Sequence, residues 1–416
     1  MPLPSRFLAI LLIVAVCAGC ELGPKSLQSS RLRYNEAVKE TTEQQLLLNI
    51  VRLRYSDSPS SLAISTIADQ RELSGSLAAT PFFTSAAAGD LGTYRGTLLP
   101  SAGLAGANRP TLSYTPNDDA EFARRLFTPI SMDGLSYLVR TTWPISTVFR
   151  LWLENLNWVS NAETASGPTP VQAPEYSRFL VGVEALQRLQ DRALIDIVSV
   201  EREERLTDSV PGGEGSSMAA VEAVKAGYEY RSDGAGGWMV VGKKRHPVLR
   251  IANMPDDDPD LQTFCLSFQL DPTRRSFDLT NDKLDPFLAD VPPTGAVVVD
   301  LESRSLLQVL FFASQAVEVP EEHLACGLAV RTVWQDGTPF DWHDVMQGLL
   351  KIQSATGRHP PTCAHVAIQY QGCWFYIDER DLDSKATFSL LIELSRLELG
   401  TADRPAPLLT IPLGGR

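Results

Sequence analysis

Two apolar periods alternate along this 416-residue chain. The first is helical. From about Asn35 to Tyr55, the residues Leu46, Leu47, Ile50, Val51 and Leu53 recur at the spacing of one helix face, and SDSP at 56–59 stops the run. From Ser61 to Tyr114 the period falls to two, which predicts a long β-hairpin of small residues over about 61–115. On the outward run Leu73, Gly75, Leu77, Ala79 and Phe83 alternate with Ser74, Ser76, Ala78 and Thr80. On the return run Leu98, Ala102 and Leu104 alternate with Thr97, Ser101 and Gly103. Each run is about 11 residues, the length a β-strand needs to cross a bilayer. Phe82, Phe83 and Tyr94 fall near the tip, where an aromatic girdle belongs. Pro81 and Pro100 argue the other way, because proline donates nothing to a ladder. A flexible Gly/Ala loop, or a hairpin packed on a soluble neighbour, therefore stays open beside a membrane hairpin.

Helical spacing returns at about 118–127, 132–141 and 145–159, completing a helical region over 33–166. GPTPVQAP at 167–174 reads as a linker. A small α/β module is expected over 175–295, with a helix in SRFLVGVEALQRLQ, a strand in ALIDIVSV and a hairpin turning on DGAGG. A last module over 296–416 reads β-α-α-β-β-α-β, with DWHDVMQGLLKIQS as one helix and Asp383 placed to cap another. The expected fold class is α+β: helices with a long hairpin first, then an antiparallel sheet covered by helices on one face.

The N-terminus changes where this fold is expected to reside. FLAILLIVAV (7–16) is ten apolar residues long, enough for a signal-peptide core and too short for a spanning helix. It runs into CAGC, which resembles the lipobox of bacterial lipoproteins, with Cys17 where leucine is usual. The resemblance implies a signal peptide over 1–19, an acylated Cys20 holding the chain to a membrane, and a lipid tether over 20–32. Glu21, rather than aspartate, after the modified cysteine implies the outer membrane, facing the periplasm. Four cysteines then remain, and Cys363 and Cys373 flank an apparent hairpin, where either a disulfide or two buried thiols is conceivable.

Charge narrows the functions further. The chain has 37 basic and 50 acidic side chains, a formal net charge of −13. Nucleic acid is thereby excluded as a partner, since phosphate binding needs a positive footprint. KKR at 243–245 reads as a solvated turn. Residues 74–108 hold only Asp90 and Arg95 as charged side chains, where the overall 21% would give about seven. No HExxH, CxxC, GxSxG or GK[ST] occurs, so no metal, cofactor or catalytic residue is assigned. Cys363, His365 and Cys373 are a weak ligand set. The acidic ladder Asp378, Glu379, Asp381, Asp383 and the run DDDPD at 256–260 read as capping and solvation.

EQQLLLNIVRLRYSDSP, PTLSYTP, QAVEVPEEH and WFYIDERDLDSKATFSLL together resemble landmarks of an uncharacterised family of Gram-negative lipoproteins. That resemblance implies no activity. The leading expectation is a non-enzymatic, lipid-anchored envelope protein that binds other envelope proteins or its own copies. The alternative is a subunit of an oligomeric outer-membrane pore or export channel that contributes the 73–104 hairpin. An envelope hydrolase comes third.

Overall fold

The computed structural model describes residues 22–59, 62–84, 95–116, 120–141, 143–205, 210–211, 224–225, 227–232, 237–281 and 298–400. Helix α1 (Leu22–Arg54) begins well before the expected Asn35, so the segment read as a tether is helical from Leu22 onward. Pro24 is tolerated there because a first helical turn has no intrahelical donor to lose. The apolar face behaves as its spacing predicts: Leu47, Ile50 and Val51 are fully buried. Strands β1 (Leu62–Thr84) and β2 (Arg95–Pro116) follow as one long antiparallel hairpin. The hairpin is a unit separate from the rest of the fold.

The other unit, residues 22–59 and 123–400, is built on one mixed sheet. After α2 (Ala120–Phe127) and α3 (Met132–Val139), α4 (Ile145–Trp152) stops seven residues earlier than the apolar run implies. The chain there turns into β3 (Leu153–Leu156) and β4 (Val159–Ser160). Asn157 and Trp158, both at positive φ (50° and 61°), form the turn, and Asn157 Nδ2 donates to the Phe268 carbonyl at 2.6 Å. An αL-tolerant asparagine inside an apolar run overrides the helical period. Helix α5 (Ser177–Asp191) leads into β5 (Ile195–Arg205). The short β6 (Val210–Pro211) and β7 (Glu229–Ser232) then pair with β8 (Gly237–Ile251). KKR is therefore not a turn. It lies inside β8, where Lys243 faces Glu203 across the ladder and Arg245 bonds Glu201 at 3.2 Å.

Helix α6 (Pro259–Ser267) starts as DDDPD suggests: Asp258 caps it, accepting from the backbone N–H groups of Asp260 and Leu261. Strands β9 (Ser276–Thr280) and β10 (Val298–Ser303) pair in parallel, and β10 also pairs with β3. The sheet order β4-β3-β10-β9-β8-β5 thus crosses the expected boundaries at 167–174 and 295. Those stretches are parts of one unit rather than separate modules. At 167–174 the linker-like composition marks a loop inside the unit, with Thr169 buried, and not the end of a core.

Helix α7 (Leu306–Ser314) carries a full capping box between Ser305 and Gln308. Two short helices follow, α8 (Glu321–Ala325) and α9 (His343–Met346). The helix predicted over DWHDVMQGLLKIQS ends at Met346, where the chain turns with Gly348 at positive φ (65°), and its last residues already enter β11 (Gln353–Ala355). With β12 (Ala364–Tyr370) and β13 (Cys373–Asp378) this strand makes a three-stranded antiparallel sheet. Gln371 and Gly372, both at positive φ, turn the β12–β13 hairpin. Helix α10 (Leu382–Gly400) closes the unit, capped by Asp381 rather than Asp383. The chain is an α+β protein. The strand expected in PLLTIPLGG lies outside the described residues.

Candidate functional site

The hairpin register converts two separate alternations into one surface pattern. β1 and β2 pair continuously from Thr66↔Ser113 to Thr84↔Arg95, with a single irregularity between Ile64 and Thr66. Residues directly opposite in an antiparallel ladder share a face, and each strand alternates faces residue by residue. Leu73↔Gly106, Gly75↔Leu104, Leu77↔Ala102, Ala79↔Pro100, Pro81↔Leu98 and Phe83↔Gly96 therefore stand on one face, which carries no polar residue over eleven rungs. The intervening pairs put Ser74, Ser76, Thr80, Thr97 and Ser101 on the other face. A slip of one residue on either strand would mix leucines with hydroxyls. The register found keeps them apart.

Charge is sorted by the same register. Asp69, Arg71, Glu72 and Arg109 lie within four consecutive rungs, Asp69↔Pro110 to Glu72↔Ala107. Toward the tip, the next eleven rungs are free of charged residues, up to Thr84↔Arg95. Pro81 and Pro100 do not interrupt this ladder. Of the expected membrane residues, Leu73, Leu77, Phe83, Leu98 and Leu104 share the apolar face, whereas Phe82 falls on the hydroxyl face, because neighbours in a strand point oppositely. Phe82 and Phe83 therefore do not share a face of the hairpin. Tyr94 and Cys20 lie outside the described residues.

Two further places in the α+β unit bring polar side chains together. At the end of α1, the Tyr55 hydroxyl lies 2.7 Å from His323 Nδ1, and His323 Nε2 lies 3.8 Å from Cys373 Sγ. A thiol beside an imidazole is the arrangement a nucleophile needs. Here the thiol is buried, its distance from the ring nitrogen is long, and Tyr55 is packed edge-on against Tyr370 and Phe375. Burial pushes the Tyr55 hydroxyl above the usual phenol range, with the Cys373 thiol adding to the rise. The cluster ties α1 to the small sheet. No local spacing reveals it, since Tyr55 and His323 lie 268 positions apart and His323 and Cys373 another 50.

The second place is a cavity of about 240 Å³ lined by residues including Arg54, Gln315, Phe340, Trp342 and Met346. Arg54 Nε and Gln315 Oε1 have no hydrogen-bond partner, but both atoms are sealed from water, so neither is presented to the cavity. The Arg54 guanidinium instead donates through Nη1 and Nη2 to the Val330 carbonyl at 3.1 Å, and burial lowers its pKa to about 10.

Cys363 and Cys373 are both free thiols. The proposed bridge fails on geometry: Cys363 neighbours the Ala364↔Asp378 end of the hairpin, and Cys373 starts the opposite end at Tyr370↔Cys373. Five residues of strand separate those ends, about 17 Å, against the 4.4–6.8 Å a disulfide allows. His365 pairs with Glu379 at 2.8 Å, and no group of three metal-ligating side chains occurs among the described residues. In the acidic ladder, Asp378 accepts from the Arg380 backbone, Glu379 pairs with Lys385, and Asp381 caps α10. The class defined is thus an α+β body carrying a two-faced hairpin. No protein family, curated protein or solved structure matches the chain.

Proposed function

We propose that this chain is a lipid-anchored, non-enzymatic protein of the outer membrane. Acylated Cys20 holds it at the periplasmic side, and the β1–β2 hairpin contributes to an oligomeric pore or export channel. The observation that carries this reading is the register. An apolar face spanning Leu73↔Gly106 to Phe83↔Gly96 measures about 34 Å along the strand, or about 26 Å at a barrel tilt of ~40°. The apolar band of an outer-membrane barrel is ~25 Å tall. The non-enzymatic part rests on the sequence, where no catalytic motif occurs.

A second reading is a periplasmic interaction component whose hairpin never inserts. Exposed Val171 and Trp334 favour it; they sit together, because the Val333 N–H donates to the Val171 carbonyl at 2.8 Å. Fractionation of a Cys20→Ser variant, with and without residues 62–116 replaced by a short Gly/Ser linker, separates the two. For the pore reading, Cys20→Ser alone stays with membranes as an oligomer and becomes soluble only when the hairpin is also removed. A soluble monomer from Cys20→Ser alone would overturn it in favour of the second reading.

A further inference from the structure

We infer that copies of this chain close a ring in which the Ser74/Ser76/Ser101 face lines an aqueous lumen and the leucine face meets lipid, with Glu72 and Arg109 as the charged entrance. The inference rests on the pore reading and adds the partner, the facing and the residues that set selectivity. Among the described residues β1 and β2 pair only with each other, so the ribbon keeps two outer edges. In hydrocarbon every backbone donor and acceptor must be paired, and a two-stranded ribbon cannot meet that demand alone. A second copy can, because the outer edge of its β2 is offered to the outer edge of the first copy's β1. Such head-to-tail contacts close into a ring, and each copy adds two strands, which keeps the strand number even.

Facing follows from the residue types. The face of Leu73, Leu77, Leu98 and Leu104 has no hydrogen-bonding side chain over its eleven rungs, so acyl chains are its fitting neighbour. The opposite face holds five hydroxyl residues among alanine, glycine, Phe82 and Leu99. Small hydroxyl positions suit a water-filled lumen. The charged rungs split between the faces: Asp69 and Arg71 fall on the leucine face, where they end the apolar band, while Glu72 and Arg109 fall on the hydroxyl face at the base of the uncharged stretch. A lumen without charge over that stretch discriminates ions weakly, which leaves the charges at its two ends, Glu72 with Arg109 at one and Arg95 at Thr84↔Arg95 at the other, to set the preference.

The test is the full-length protein, purified in detergent and reconstituted into planar bilayers of phosphatidylethanolamine and phosphatidylglycerol. Glu72→Gln should move the reversal potential in a salt gradient toward anion preference and Arg109→Gln toward cation preference. Asp69→Asn and Arg71→Gln should leave it in place. In vesicles of the same lipids, Ser76→Cys and Ser101→Cys should react with a water-soluble maleimide above the wild-type thiol background. Leu77→Cys and Leu98→Cys should react about tenfold more slowly or less, since lipid suppresses the thiolate. Equal or reversed labelling in variants that still conduct, or selectivity that follows Asp69 and Arg71, overturns the facing while leaving the pore. Absence of conductance, together with a soluble Cys20→Ser protein, overturns the pore itself.

Discussion

Arg304 is the most enclosed charged residue of the described fold, with no exposed surface. Its Nε donates to Ser166 Oγ at 2.9 Å, Nη1 to the carbonyls of Arg150 and Leu151, and Nη2 to that of Asn161, while the guanidinium lies 4.1 Å from the centre of the Phe312 ring. Burial lowers its pKa to about 9, which still leaves it protonated at neutral pH. The planar fork collects the ends of α4 and the β4 turn onto β10, a task lysine's single ammonium cannot copy. Arg304→Met strands several buried acceptors at ~1–3 kcal/mol each, so a loss of about 3 kcal/mol or more is expected in urea unfolding. A loss under about 1 kcal/mol would mean the carbonyls find other donors. Asp258 is the second residue to test. Its carboxyl is held below the usual carboxylate range first by the hydrogen bond from Arg192, with the α6 backbone N–H groups assisting. A carboxylate with a depressed folded pKa stabilises fully above its unfolded value and loses that contribution as pH falls through the folded one. Asp258→Asn should therefore flatten the decline of stability below about pH 4. An unchanged acid limb in unfolding curves from pH 6 downward would exclude that linkage.

Among the elements, α5 and α6 approach more closely than any side chain at position 182 allows. A Cβ on Gly182 would lie 2.4 Å from Phe268 Cε2 and 2.7 Å from Ser267 Cβ. Phe268 itself packs edge-on against Phe179 and Phe264, so it has little room to yield. Gly182→Ala should cost about 1–3 kcal/mol, despite alanine's better helix propensity. A melting temperature at or above wild type would show that Phe268 moves aside. Elements with a sustained local period were legible in the sequence: the α1 face, the hairpin and the β12–β13 turn at Gln371–Gly372. Those that failed did so for identifiable reasons. The run ISTVFRLWLENLNWV has the spacing of a single helix, yet Asn157 turns the chain within it, and the stretch after α9 leads into β11, which pairs with β13 about 20 positions on. Local spacing carries no record of such partners.

For the molecule as a whole, neither the division into units nor the facing of the hairpin could be read from composition. β10 enters the sheet between β3 and β9, joining residues more than 140 positions apart, and this erases the boundaries that Pro- and Gly-rich segments implied. The hairpin alternation was visible strand by strand, but only the register decides that both leucine sets share a face. The proposed membrane contact rests on that shared face.

The hairpin leaves the body's chain at residue 59 and the body resumes at 123, so excision replaces one long connection with a short one. Its thermodynamic cost to the body is a loop-closure term that varies only as the logarithm of length, roughly 0.6 kcal/mol per doubling. The body's sheet and core should survive the excision with their unfolding midpoint nearly unchanged. A change in membrane partitioning on deletion could then be assigned to the lost ribbon rather than to a damaged protein. A midpoint lowered by many degrees would show that body and ribbon are coupled.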